Sequence, residues 1–374
     1  MIYLDYSATT PVNSDVLNTF VTVTKNFIGN PNSLHKLGLE ANRLINASTS
    51  HIASILGVHD DEIIYTSGAT EANNSAIYGV LDAYKERGKE IITTHLEHSS
   101  INESLKYAES IGYKVIYVNL DKDGYADLDD LKNKINNNTC LVTISSVNSE
   151  TGVHQDIESI SKIVKEYPRC VFHSDMTQSI GKVRENLKYV DLASFSAQKF
   201  YGLKGIGVLI KKENVSLTPL IKGGKSTTRF RAGTPSAALI ASCSKALTEC
   251  YKDFDKKYEH VLSLNKYLRE KIEGIPGVYI NSPSSAIPHI LNVSVMNIKP
   301  ETILHALEEK DIYISTRTAC SLGDYSEAVY ALTGDMERAK HSIRISLSYL
   351  TTKEEIDVFI CEFKHIIKDL NLNI

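Results

Sequence analysis

Short apolar, β-branched runs alternate with stretches of helical periodicity over the first two thirds of the chain. Glu62-Ile-Ile-Tyr65, Ile91-Ile-Thr-Thr94, Lys114-Val-Ile-Tyr-Val118, Leu141-Val-Thr-Ile-Ser145, Cys170-Val-Phe-His173, Leu192-Ala-Ser-Phe195 and Gly207-Val-Leu-Ile210 read as strands. Residues 69–86, 99–111, 128–135 and 157–167 read as helices between them. This β-α-β rhythm predicts an α/β fold with a mainly parallel, seven-stranded sheet covered by helices. After Thr234 the rhythm changes. Residues 235–272 read as one long helix, followed by strands at 290–295, 312–315 and 343–347 and helices at 301–309 and 353–367. The expected organisation is a large domain, 13–255, and a smaller C-terminal α/β domain, 256–374.

Composition adds limits. The chain has 374 residues, 42% hydrophobic and 23% charged, which suits a soluble globular protein of two domains. A formal net charge of -4 argues against a protein that grips nucleic acid directly. No run is long and apolar enough to span a membrane, and Met1-Ile-Tyr-Leu-Asp5 has no basic n-region, so a cytoplasmic location is expected. The six cysteines are scattered with no C-x-x-C pair, which suggests reduced thiols and no metal site. Cys140 and Cys170 open apolar runs and read as core residues.

Ligands of parallel sheets sit beyond the strand carboxyl ends, so the loops there are the places to look for chemistry. Ser196-Ala-Gln-Lys199-Phe-Tyr-Gly202 follows one strand. A lysine just past a buried strand, if desolvated, suits imine formation; a surface lysine on a turn fits the same spacing. His173-Ser-Asp175-Met-Thr-Gln178 follows another strand. Asp175 there could hold a pyridinium nitrogen protonated, or simply cap the next helix. Thr66-Ser-Gly68-Ala-Thr70-Glu71 joins a strand to a helix, and its free N–H groups and Thr70 hydroxyl offer either an anion site or an ordinary capping turn. Cys320 lies in the polar run Ser315-Thr-Arg-Thr-Ala-Cys320-Ser-Leu-Gly323, which reads as a mobile, partly wet loop. Thiolate is the reactive form, and Arg317 would favour it if it points the right way; an incidental loop cysteine is the alternative.

Taken together, these segments resemble the fold type I, class V pyridoxal-phosphate enzymes, and specifically the cysteine desulfurases of the NifS/IscS-like group. The resemblance covers nearly the whole chain. It includes Tyr3-Leu-Asp-Tyr-Ser-Ala-Thr-Thr-Pro11, Gly29-Asn-Pro-Asn-Ser-Leu-His35, Thr66-Ser-Gly-Ala-Thr-Glu71, Glu97-His98, Val147-Asn-Ser-Glu-Thr-Gly152, Asp175-Met-Thr-Gln-Ser-Ile-Gly-Lys182, Ser194-Phe-Ser-Ala-Gln-Lys199, Arg231-Ala-Gly-Thr234, Thr318-Ala-Cys320-Ser and Ser342-Ile-Arg344-Ile-Ser.

The resemblance implies that Lys199 binds pyridoxal phosphate covalently and moves the substrate α-proton. Asp175 would pair with the ring nitrogen and Gln178 approach the phenolic oxygen. His98 would stack on the ring and serve in proton transfer. Thr70, Ser196, Gln198 and the Ala69 backbone would hold the phosphate. Asn148 would lie beside cofactor and substrate, and Arg344 would grip the substrate carboxylate, although a paired strand arginine is its alternative. Thr234 would reach the phosphate of the other subunit, which implies a homodimer, and residues 1–12 would pack on the small domain. L-cysteine would yield L-alanine, with sulfur carried as a persulfide on Cys320 to an acceptor protein, either an iron–sulfur scaffold or a tRNA-thiolation enzyme. His35 is either a substrate-entry residue or a turn histidine.

Several positions depart from the family pattern. Gln198 stands where histidine is usual, Leu203 where proline is usual, and Gly223-Gly-Lys-Ser-Thr227 replaces a more glycine-rich stretch. Glutamine can still donate a hydrogen bond to phosphate but cannot carry charge, so weaker or retuned cofactor binding is expected. The loop after Cys320 is about two residues shorter than in housekeeping members, which points to a specialised paralogue. Selenocysteine lyase, a β-lyase or an aminotransferase is the competing enzymatic reading, and a non-catalytic scaffold the competing reading of another class.

Overall fold

The computed structural model describes residues 1–224, 226–316 and 325–372. Its main sheet has seven strands, ordered Ile63–Thr66, Gly207–Lys211, Leu192–Ser196, Val171–Asp175, Thr139–Thr143, Glu90–Thr93 and Lys114–Tyr117. All neighbours pair in parallel except around Gly207–Lys211, which is antiparallel to the strands on both its sides. The mainly parallel sheet read from the sequence is therefore present.

The continuous apolar runs feed two cores. Ile63, Ile92, Val142, Phe172, Ala193 and Val208 face one side, whereas Ile64, Ile91, Leu141, Val171, Leu192 and Leu209 face the other. A strand buried on both faces has no polar face to show, so its sequence does not alternate. Helices Ala69–Ala83 and Ser99–Ser110 cover the second side through Ala72, Ala76, Ile101 and Leu105. Helices Ile157–Val164 and Ala237–Tyr251 cover the first.

The expected single helix over 235–272 is corrected. Two helices stand there, Ala237–Tyr251 and Phe254–Ile272, separated where Lys252 is extended and Asp253 adopts φ 52. Aspartate tolerates this left-handed conformation better than most residues. The break lets each piece serve a different core: Ala241 and Leu247 join the large-sheet core, and Val261, Leu264 and Leu268 join another. Two helices not expected from the sequence, Ser14–Asn26 and Lys36–Leu56, also pack on the large-sheet core through Val16, Val23, Ile45 and Ile52. The last helix continues to Leu372.

That other core forms around an antiparallel sheet of Ser342–Ser346, Ile290–Val295 and Val278–Ile280, closed by Phe359 and Phe363 of the last helix. Leu4 lies in it, fully buried. Ile2–Tyr3 pairs in parallel with Ile312–Tyr313, and the Ser346 amide donates to Leu4 O at 2.7 Å. From this anchor the N-terminal segment leaves the smaller core and meets groups at the carboxyl ends of the large sheet.

Candidate active site

A cavity of about 410 Å³ opens beyond those strand ends. Its wall includes the start of helix Ala69–Ala83, His98, Asp175, Gln178, Ser196, Gln198, Lys199 and Arg344. Residues far apart in sequence meet there because parallel strands end on the same side.

The helix start is built for an anion. Gly68 caps it without a side-chain acceptor, so the first N–H groups are not answered by the cap. The glycine at 207 allows close backbone approach behind it: a Cβ there would lie 2.6 Å from Gly68 Cα. Glu71 accepts from the Ser67 amide at 2.8 Å and pairs with Arg231 Nε at 2.9 Å. That pairing holds its carboxyl below the usual carboxylate range, although burial opposes the shift as the largest single influence.

Asp175 closes its strand and is buried. Its Oδ2 accepts from Asn73 Nδ2 at 2.7 Å and its Oδ1 from the Thr177 amide at 2.9 Å. His98 caps helix Ser99–Ser110, its Nδ1 accepting from the Ser100 amide at 3.1 Å. An accepting Nδ1 places the proton of neutral imidazole on Nε2. Burial pushes the His98 pKa down, and the charges of Lys199 and Arg344 push the same way against Asp175 and Glu150.

Lys199 Nζ donates to the carbonyls of Ser7 at 2.8 Å and Ala8 at 2.6 Å. Gln178 Nε2 donates to Ser7 O at 2.9 Å, while its Oε1 accepts from Lys182. Arg344 is buried in its strand, donating from Nη1 to Ser149 O at 2.9 Å and from Nη2 to Asp5 Oδ1 at 2.8 Å.

The structure gathers Ala69, Thr70, His98, Asp175, Gln178, Ser196, Gln198, Lys199 and Arg344 around one cavity. Two residues lie elsewhere. Asn148 is beside the wall, between the lining residues Val147 and Ser149. Its Nδ2 donates to Leu96 O and its Oδ1 accepts from Glu150, Thr151 N and the Thr151 hydroxyl, so the side chain braces a turn. Thr234 is exposed and lines a separate pocket with Ser67 and Gly205. His35 caps helix Lys36–Leu56 through Nδ1, as a turn histidine does. Cys320, Arg317 and Lys225 lie outside the described residues.

Residue-by-residue reading missed Asp5, Ser7, Ala8, Asn73 and Lys182. Nothing in the short polar run at residues 5–10 marks its carbonyls as acceptors for Lys199. Lys182 is buried, and burial, reinforced by Lys199 and Arg344, lowers its pKa to about 7. In the unfolded chain a lysine titrates near ~10.4. Between these values the unfolded state binds the extra proton, so stability rises with pH across that window, and the full penalty applies below it. Lys182→Met is therefore expected to raise the thermal midpoint, and to raise it more near about pH 6 than near about pH 9. Equal gains at both values would contradict the assignment.

A site with an imine-capable lysine, a strand-end aspartate and a helix-start anion cradle, on a seven-stranded α/β sheet, defines a pyridoxal-phosphate type of architecture. The chain belongs to the aminotransferase class-V family, whose sequence profile matches residues 2–359. Within it, the chain is a member of the NifS/IscS-like group of cysteine desulfurases. It is 43% identical to cysteine desulfurase IscS of Buchnera aphidicola subsp. Schizaphis graminum over 366 residues, covering 95% of this chain and 90% of that protein. It is 40% identical to a NifS/IcsS protein homolog of Lactobacillus delbrueckii subsp. bulgaricus over 373 residues, 98% of this chain and 97% of the relative. A solved NifS-like protein superposes with a TM-score of 0.93 at 34% identity, covering 98% of this chain and 99% of that one.

Proposed function

We propose that the protein is a pyridoxal-phosphate-dependent cysteine desulfurase, converting L-cysteine to L-alanine and passing sulfur through Cys320. The observation that carries this is the convergence of Lys199, Asp175, His98, Arg344 and the Ala69–Ala83 helix start on one cavity. The residues fit the cofactor: the helix start suits its phosphate and Asp175 its ring nitrogen. The Thr177 hydroxyl, on a cavity-lining residue two positions past Asp175, is buried without a protein partner, as a wall completed by a polar ligand would leave it. When bound, pyridoxal phosphate supplies a sink for the electrons freed at the substrate Cα.

The chain's own residues do the rest. Thr70, Ser196, Gln198 and the Ala69 N–H hold phosphate. Asp175 keeps the ring nitrogen protonated, and Gln178 donates toward the phenolic oxygen. Lys199 would hold the cofactor covalently, and its amine, once free, would move the substrate α-proton, with His98 as a second proton carrier. Arg344 fixes the substrate carboxylate, and Asn148, held in the turn next to the cavity wall, lies beside cofactor and substrate. The Cys320 thiolate attacks the substrate sulfur. An S–S bond forms, the C–S bond breaks, and its electron pair stays on the carbon that becomes the alanine methyl.

The same reading includes a homodimer in which Thr234 completes the partner's phosphate site, a large domain over 13–255, and a small domain over 256–374 with residues 1–12 packed on it. Support for the last point is Leu4 within the smaller core. Sulfur passes from Cys320 to an acceptor protein in the cytoplasm, an iron–sulfur scaffold or a tRNA-thiolation enzyme. Among the described residues no helix is long and apolar enough to cross a membrane. Freshly purified protein is expected to absorb at about 400–420 nm from bound cofactor and to release alanine from L-cysteine. Protein with neither property would favour the scaffold reading.

A further inference from the structure

Arg344 is the one cavity-lining guanidinium among the described residues, and its side chain is only 3% exposed. A guanidinium so buried needs acceptors on its N–H groups. Two acceptors reach it, from different parts of the chain: Ser149 O on the loop beside Asn148, and the Asp5 carboxylate on the N-terminal segment. Nε is buried with no partner, so the orientation of the planar group rests on these two contacts.

Asp5 is itself held firmly. It bridges in parallel to Ser346, two residues along the strand from Arg344. The Ser346 amide donates to Leu4 O at 2.7 Å, and the Ser7 amide donates to the Ser346 hydroxyl at 2.9 Å. The Tyr3 hydroxyl donates to Asp5 O at 3.1 Å and to Thr9 O at 2.9 Å, bracing the segment from its other side. The same segment presents the Ser7 and Ala8 carbonyls to Lys199.

We propose that Asp5 is a positioning residue for the substrate: it sets the roll of the Arg344 guanidinium so that its remaining N–H groups take the α-carboxylate of the amino acid. Arg344 needs an acceptor at this exact place, because a planar fork recognises a carboxylate only when both arms are aligned. This inference rests on the reading of Arg344 as the carboxylate-binding residue.

Two substitutions separate orientation from charge. Asp5→Asn keeps an oxygen acceptor of the same reach and removes the charge. Asp5→Glu keeps the charge and displaces the acceptor by one methylene. In the holoenzyme, Asp5→Glu is expected to raise KM for L-cysteine about tenfold with kcat changed less than about threefold, and Asp5→Asn to raise KM less than about threefold. Calorimetric binding of the product L-alanine should weaken in the same order. The reverse order, or no change from either substitution, overturns the proposal. Arg344→Ala is the control: if it leaves alanine binding intact, the carboxylate role of Arg344 itself fails; if it abolishes binding while both Asp5 variants match the parent, only the role of Asp5 fails.

Discussion

Cys320→Ala is expected to lower turnover of L-cysteine by about a thousandfold or more, with cofactor absorbance and fold retained. No other group in the proposed scheme can take the sulfur. The described cysteines Cys140, Cys170, Cys243 and Cys250 are buried. Burial pushes their thiols well up, Cys140 to about 11 and both Cys243 and Cys250 to about 12. Such thiols are not nucleophiles at neutral pH. Cys361 is exposed on the last helix, whose buried residues belong to the smaller core. Sulfur release is measured as sulfide with a reductant present, and alanine by amine analysis. If Cys320→Ala keeps the parent rate, the chemistry is a lyase reaction in which sulfur leaves without a protein acceptor.

Lys199→Ala is expected to lose both the absorbance at about 400–420 nm and activity, the latter by about three orders of magnitude or more. Its amine does two jobs, holding the cofactor and moving the α-proton, and no nearby group replaces both. Lys182 is buried close by, but it is committed to Gln178. His98 can carry a proton but cannot anchor the cofactor. Measuring absorbance and alanine release on the same preparation separates the two jobs: cofactor retained with activity lost would leave Lys199 as a base alone.

Much of the large-sheet fold could be read from the sequence, because strands buried on both faces are short, uninterrupted and apolar. The regions that could not be read follow a different logic. The break at Lys252–Asp253 carries no glycine or proline; it arises because the helices on its two sides bury their faces in different cores. Helix Lys36–Leu56 does show Ala41, Ile45, Ile52 and Leu56 at helical spacing, but it lies outside the β-α-β rhythm that organised the reading. In the site, charged and strand-end residues announced themselves, while backbone acceptors did not. The carbonyls of Ser7 and Ala8, and the Asp5 contact to Arg344, depend on a pairing of residues 2–5 with strands more than 300 positions away. No local pattern encodes that pairing. Asn148 lies beside the cavity wall, where its Nδ2 donates to Leu96 O on another loop and its Oδ1 accepts from Thr151 of its own turn.

The central claim is that sulfur from L-cysteine becomes bonded to Cys320. The most direct test is to mix the purified protein with L-cysteine without reductant, quench, digest and weigh the Cys320 peptide while counting alanine. The account predicts a gain of about 32 Da, one sulfur atom, on that peptide, with one alanine released per sulfur bound in the first turnover. Alanine released with the Cys320 peptide unchanged in mass would contradict it.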